Sequence, residues 1–243
     1  MRVERPAGDG WLVLVGGGEF SFGETYEADE AWLAKAPDGP LGFVPAASGS
    51  IDYGHHFADY LEGEFGRLCE IVPIYRGRDA RRGKNLERLG AVSAVYVGGG
   101  VTDHLLDTLA DTPAAETLLA VLRGGGTVVA IAAAAQALGR WARSVEPRRW
   151  LPGLGWLPGG VVEPNFEPGH DRRLRQLLAQ PGVSWGLGLP AGSALLLGPD
   201  GAVEIVGTVF AVDGEHGELT AHGEPWDEGP SEAAGEGPGS DLD

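Results

Sequence analysis

Residues 124–139 read GGGTVVAIAAAAQALG, a glycine turn, a β-branched run and then alanine. A buried strand that turns abruptly into a helix is where α/β hydrolytic folds hold a nucleophile, at the tip of an elbow. The chemistry of such a turn is attack on a carbonyl carbon, with a base taking the nucleophile's proton. The apex residue sits at strained φ/ψ with backbone packed close on both sides. Its neighbours two before and two after are therefore small, usually glycine. Counting along the run places the apex at Ala133, with Ile131 and Ala135 flanking it. The position expected to carry the chemistry holds a methyl group. With neither a nucleophile nor glycines to set against about 1–3 kcal/mol of strain, the spacing predicts a relaxed backbone at Ala133.

Other reactive residue types are present, and each has a plainer role beside the sharp one. Ser48 lies in a small-residue loop beyond a strand, where doubly wound folds place ligands; it also suits a turn or a helix cap. Asp103-His104 has the composition of a base and its orienter, but adjacent helical residues face different ways, which favours capping by Asp103. His55-His56 fails as a metal pair for the same reason, and neither His-Glu-x-x-His nor Cys-x-x-Cys occurs. His216 and His222 fall near a late hairpin. Three glycine turns, at 16–18, 98–100 and 124–126, could cradle a phosphate on backbone N–H groups. The first lacks the full Gly-x-Gly-x-x-Gly spacing, and no Walker lysine follows any of them. The basic stretch 76–88 reads as a solvated loop or a site for an acidic ligand. Trp141, Trp150 and Trp156 read as core or as filling for a cleft, and Cys69 as a small buried hydrophobe.

The elements that must position these residues alternate. Apolar strands are expected at 11–15, 41–45, 69–75, 91–97 and around 127–129, with helices at 27–36, around Phe57, Leu61 and Phe65, around Leu105, Leu106 and Leu109, and at 114–122. Asp52, and Thr102 or Asp103, are the expected caps. Continuous apolar strands alternating with helices indicate right-handed βαβ units, so an α/β fold with a three-layer, doubly wound, mostly parallel sheet. After 150 the pattern changes to turns and short strands, with one helix at 171–179. These short strands are expected to extend the sheet as antiparallel edges. No linker divides residues 1–223, which read as one domain, and 224–243 reads as a disordered acidic tail.

Composition narrows the function. The formal net charge is −17 and no Lys or Arg follows Arg175. Nucleic acid and anionic membrane surfaces are disfavoured partners, since both need cations. No apolar run reaches the roughly 18–20 residues of a membrane span, and the N-terminus lacks a signal-peptide core. The single cysteine excludes an internal disulfide framework. A cytoplasmic location is the expectation, and a homodimer stays open.

Several landmarks occur in order: Gly16-Gly17-Gly18, Ala46-Ala47-Ser48, Gly98-Gly99-Gly100, the strand–turn–helix at 128–139, residues 157–162 (LPGGVV) and residues 188–197. Their order and spacing resemble the cyanophycinase and dipeptidase E family of serine peptidases, whose fold is like that of class I glutamine amidotransferases. The resemblance covers about residues 10–213. It implies a Ser-His-Glu triad, with the serine in a Gly-x-Ser-Ala-Gly elbow. The serine position falls on Ala133. The histidine position, in a Val-Val-Asp-x-His-Phe-like segment, falls on Asn165 of VVEPNF. The acidic position, in a Gly-Ile-Asp-Glu-like segment, falls on Ala191 of GLPA. The resemblance therefore implies an inert relative of a peptidase that binds a small molecule or a protein partner. The expected cleft lining is Gly17, Gly18, Glu19, Ser48, Gly99 and Gly100 together with the triad positions. No cofactor and no metal are implied. Two alternatives remain open at this level: a hydrolase or amidotransferase-like enzyme using displaced residues, and a nucleotide- or anion-binding protein.

Overall fold

The computed structural model describes residues 3–48 and 50–225. The chain begins with β1 (Trp11–Val15), a 3-10 turn (Phe20–Phe22), α1 (Tyr26–Leu33), β2 (Leu41–Val44), α2 (Ile51–Phe65) and β3 (Cys69–Ile71). A second 3-10 turn (Asp79–Arg81) precedes α3 (Gly83–Gly90), β4 (Ala94–Val97), α4 (Thr102–Leu109), α5 (Pro113–Arg123), β5 (Thr127–Ile131) and α6 (Ala133–Ala137). The second half holds β6 (Trp141–Arg143), β7 (Trp150–Pro152), β8 (Gly160–Pro164), α7 (Arg172–Leu178), β9 (Trp185–Leu189), β10 (Ala194–Leu197), β11 (Val203–Val206), β12 (Thr208–Asp213) and β13 (Thr220–Gly223).

The main sheet has the order β11-β10-β1-β5-β4-β2-β3. β1, β5, β4, β2 and β3 are mutually parallel, while β10 and β11 close one edge antiparallel. β1 shows why its residues form a central strand. Its period of two sends Leu12 and Leu14 into one core and Val13 and Val15 into the other. The first core lies under α3, α4 and α5. The second, under α1 and α2, is aromatic, and Phe57 and Tyr96 meet there with ring centroids 4.2 Å apart. Burying such a ring stabilises the fold by about 1.5–3 kcal/mol. Both faces are covered, as a parallel sheet requires.

The structure corrects four expectations. The second-half strands do not all join the main sheet. β8, β9, β12 and β13 form their own sheet, ordered β13-β12-β9-β8, with β8 and β9 parallel, and β6 and β7 form a separate hairpin. Residues 76–88 are not a loop: they hold the 3-10 turn and α3, whose two leucines, Leu86 and Leu89, pack inward. Asp52 does not cap α2; Ser50 does, its hydroxyl accepting from Tyr53 N–H at 3.4 Å. Neither Thr102 nor Asp103 caps α4, which starts from Val101. Of the stretch expected as a tail, Glu224 donates its N–H to Gly207 O at 2.9 Å, and residues 226–243 lie outside the described residues.

Candidate functional site

Parallel strands deliver their C-terminal ends to one edge, and there the loops after β1, β2, β4, β5, β8 and β9 meet. The turn after β5 is an elbow. Ala132 is held at φ 50°, ψ −112°, and the chain enters α6 directly, with Gln136 N–H donating to Ala132 O at 3.0 Å. The apex is therefore Ala132, not Ala133, and it keeps the strain that the spacing at Ala133 argued against. Ala133 itself lies in the first turn of α6. The run Ala132-Ala133-Ala134-Ala135 bears no side chain that marks register, so counting slips by one. With the apex at Ala132, the flanking positions become Ala130 and Ala134, both buried and both small. The methyl at the apex is unaffected by this shift.

Three segments converge on the end of β1. Ala132 N–H donates to Val15 O at 2.9 Å, and Asn165 N–H donates to Gly16 O at 2.8 Å. The turn after β9 reaches the same place, where Gly192 N–H donates to Gly17 O at 3.0 Å. Gly17 has φ 142°, and a Cβ there would lie 2.1 Å from Asn165 Oδ1, so only glycine fits against that amide. Asn165 is itself left-handed, at φ 47°, a conformation asparagine tolerates. Ala191 sits exposed in the turn after β9, between Pro190 and Gly192. Gly99 closes the other side, where a Cβ would come 3.5 Å from Ala132 Cβ. Gly100, at φ 143°, abuts Ala47 O.

The remaining expected lining residues are at this edge but are locally engaged. Glu19 caps the 3-10 turn, accepting from Ser21 N–H and donating its own N–H to Glu24 Oε2 at 2.8 Å. Gly18 has φ 110° and packs on Glu24 and Thr25. Ser48 donates to Pro45 O and accepts from Ser50 N–H, the plainer turn role. Asp103 and His104 form no base pair. Asp103 accepts from Ser144 Oγ and from Val145 N–H at 3.0 Å. Burial opposes the charge on Asp103, but those two donations, its own backbone N–H and the charge of Arg149 together hold its pKa below the ordinary value. The one imidazole hydrogen bond among the described residues joins His170 to Glu167.

Two polar clusters escaped the sequence reading. Behind the elbow, Glu163 accepts from Arg143 Nη2 at 3.0 Å and from Gln136 Nε2 at 3.3 Å, while Thr102 Oγ1 donates to Gln136 Oε1 at 3.2 Å. Burial raises the Glu163 pKa, and Arg143 opposes that rise. Under the β1 loop, the Asp29 carboxylate is fully buried and accepts from Thr25 Oγ1 at 2.7 Å, Trp32 Nε1 at 2.8 Å and Tyr60 OH at 3.1 Å. No cation compensates it among the described residues, and burial raises its pKa to about 6. The available signal was an acid three residues before a tryptophan on one helix face. In the β6–β7 hairpin Trp141 pairs with Pro152 and Trp150 with Arg143, Trp156 is in the core, and the Cys69 thiol is pushed up to about 12 by burial.

Similarity to known proteins follows the same architecture. The chain aligns with a peptidase from an acI-B1 Actinobacterium at TM-score 0.70 and 22% identity, covering 90% of this chain and 97% of that one. It aligns with a putative peptidase E protein from Listeria monocytogenes EGD-e at TM-score 0.62 and 16% identity, covering 82% and 98%. At these identities the likeness establishes the fold. None of the curated proteins is significantly similar in sequence. The family model described as Peptidase family S51 matches residues 12–205, and the chain belongs to that family.

Proposed function

We propose that this chain is a catalytically degenerate member of peptidase family S51, which binds a small molecule or a protein partner through the cleft its relatives use for cutting. The observation that carries the proposal is the methyl group at a strained elbow apex. Ala132 has no lone pair to attack a carbonyl carbon. Asn165, beside Gly17, bears an amide that takes no proton near neutral pH. Ala191 offers no acceptor to orient a base. A relay displaced to Ser48 finds no support, because that hydroxyl is engaged in its own turn.

The retained elbow argues for a retained cleft. A non-glycine residue at φ 50°, ψ −112° costs on the order of 1–3 kcal/mol and persists only where its surroundings impose it. Here the surroundings are Val15, Gly99 and the start of α6. A cleft that keeps its shape while lacking its reactive groups suits binding without turnover.

The test is hydrolysis of Asp-Xaa dipeptides and of a cyanophycin-like polymer by the purified chain. The proposal expects no turnover above the buffer rate. Turnover that tracks the protein through purification would overturn it.

A further inference from the structure

On the edge that holds the cleft, the loops after β1, β2 and β4 carry an apolar and acidic rim. Phe22, Ile51 and Val101 are 82%, 59% and 41% exposed. They stand in the loops after β1, β2 and β4, which are in direct contact. Val101 N–H donates to Ala47 O at 3.0 Å, and the Phe20 and Tyr53 rings lie 5.6 Å apart. The helices that follow these strands start at the rim, and their first turns bear Glu27 on α1 and Asp52 on α2. Glu19 and Glu24 lie in the loop between Gly18 and α1.

The charge at this rim has no internal counterpart. No Lys or Arg occurs between Arg5 and Lys35, between Lys35 and Arg67, or between Arg88 and Arg123, which spans most of the three βα units that build the rim. Five acids of the chain, Asp79, Glu146, Glu163, Asp171 and Glu204, are ion-paired with arginine or lysine. Among the described residues Glu19, Glu24, Glu27 and Asp52 are not. Acids in a first helical turn complement the helix dipole, which accounts for Glu27 and Asp52 one at a time. It does not account for the lack of cations within the β1, β2 and β4 segments, nor for the large apolar side chains exposed in the same segments.

We infer that this rim is the docking surface for a partner segment that interleaves Lys or Arg with apolar side chains. The inference rests on the proposed function, that the cleft binds rather than cuts, and names the partner's chemistry. The exposed Phe22, Ile51 and Val101 supply apolar contact. The acids select a cationic segment and repel an anionic one. An anionic lipid surface is disfavoured by the same charge.

The experiment uses the full chain and a short fluorescent peptide alternating pairs of lysine and leucine. Its two controls replace every lysine by glutamate or every leucine by serine. Anisotropy at near-physiological salt should show binding of the lysine–leucine peptide and of neither control. Phe22→Ser with Ile51→Ser, both solvent-facing, should weaken binding by about tenfold or more, as should Glu27→Lys with Asp52→Lys. Asp38→Lys with Glu87→Lys places the same charge change near the opposite edge of the sheet and should leave binding within about twofold, given salt screening. The inference is overturned if the lysine–leucine peptide does not bind, if either control peptide binds as well, or if the opposite-edge variant weakens binding as much as the rim variants. Hydrolysis of Asp-Xaa dipeptides by the wild type would sink the inert reading while leaving this mapping intact.

Discussion

At Ala132 the backbone holds an alanine where glycine would be at ease. Ala132→Gly should therefore stabilise the chain by about 1 kcal/mol, strain relief exceeding the entropy that glycine adds to the unfolded state. Urea denaturation measures this; a loss of stability would mean that the apex is not strained. Asp29 sets a pH dependence. Its pKa is 3.8 unfolded and about 6 folded. Between those values the folded chain keeps a proton that the unfolded chain releases, so stability falls as pH rises through that window and levels off above it. The loss attributable to Asp29 is on the order of 3 kcal/mol. It should appear as a difference between wild type and Asp29→Asn in melts from pH 4 upward, and a flat difference would contradict it. At this scale the sequence was legible where a residue has distinctive neighbours. Asn165 and Ala191 were read from VVEPNF and GLPA, segments whose ends the structure brings to the end of β1, whereas the apex was misplaced inside an unmarked alanine run. Asp29 was not seen, because its burial depends on Tyr60, which is distant in sequence.

Between elements, the Glu163–Arg143 pair ties β8 to β6 and, through Gln136, to α6. Glu163 is almost fully buried and Arg143 about one-third exposed. Arg143→Ala leaves a buried carboxylate without its cation and should cost about 3 kcal/mol. Arg143→Ala with Glu163→Gln should recover part of that loss, and a double variant no better than the single would contradict the pairing. Gly17→Ala should also destabilise, by roughly 2–3 kcal/mol, because φ 142° and the Asn165 amide both exclude a Cβ. Thermal melts of each variant check both. The parallel strands were legible because each is a continuous apolar run. α3 was not, since its charged residues hide the two leucines that pack. The second sheet was not, since short strands with turn signals do not say which sheet they join.

Over the whole molecule, charge is segregated. The cations cluster at 67–88 and 140–175, and the segments 6–34, 36–66 and 89–122 hold none. A net charge of −17 opposes compaction, so the melting temperature should rise as salt is added from about 10 mM to 150 mM, where the screening length falls from about 30 Å to 8 Å. A temperature that falls would mean that ion pairs outweigh the repulsion. The layered α/β architecture followed from apolar periodicity alone, and the landmarks at 16–18, 46–48 and 98–100 lie on its cleft edge. What the cleft does is the claim that depends on three side chains. It is tested most directly by fluorophosphonate labelling followed by peptide mapping. The wild type should take no label, and a chain carrying Ala132→Ser, Asn165→His and Ala191→Glu should take it at position 132. Label on the wild type, or label on the variant with Ala133→Ser in place of Ala132→Ser, would contradict the account.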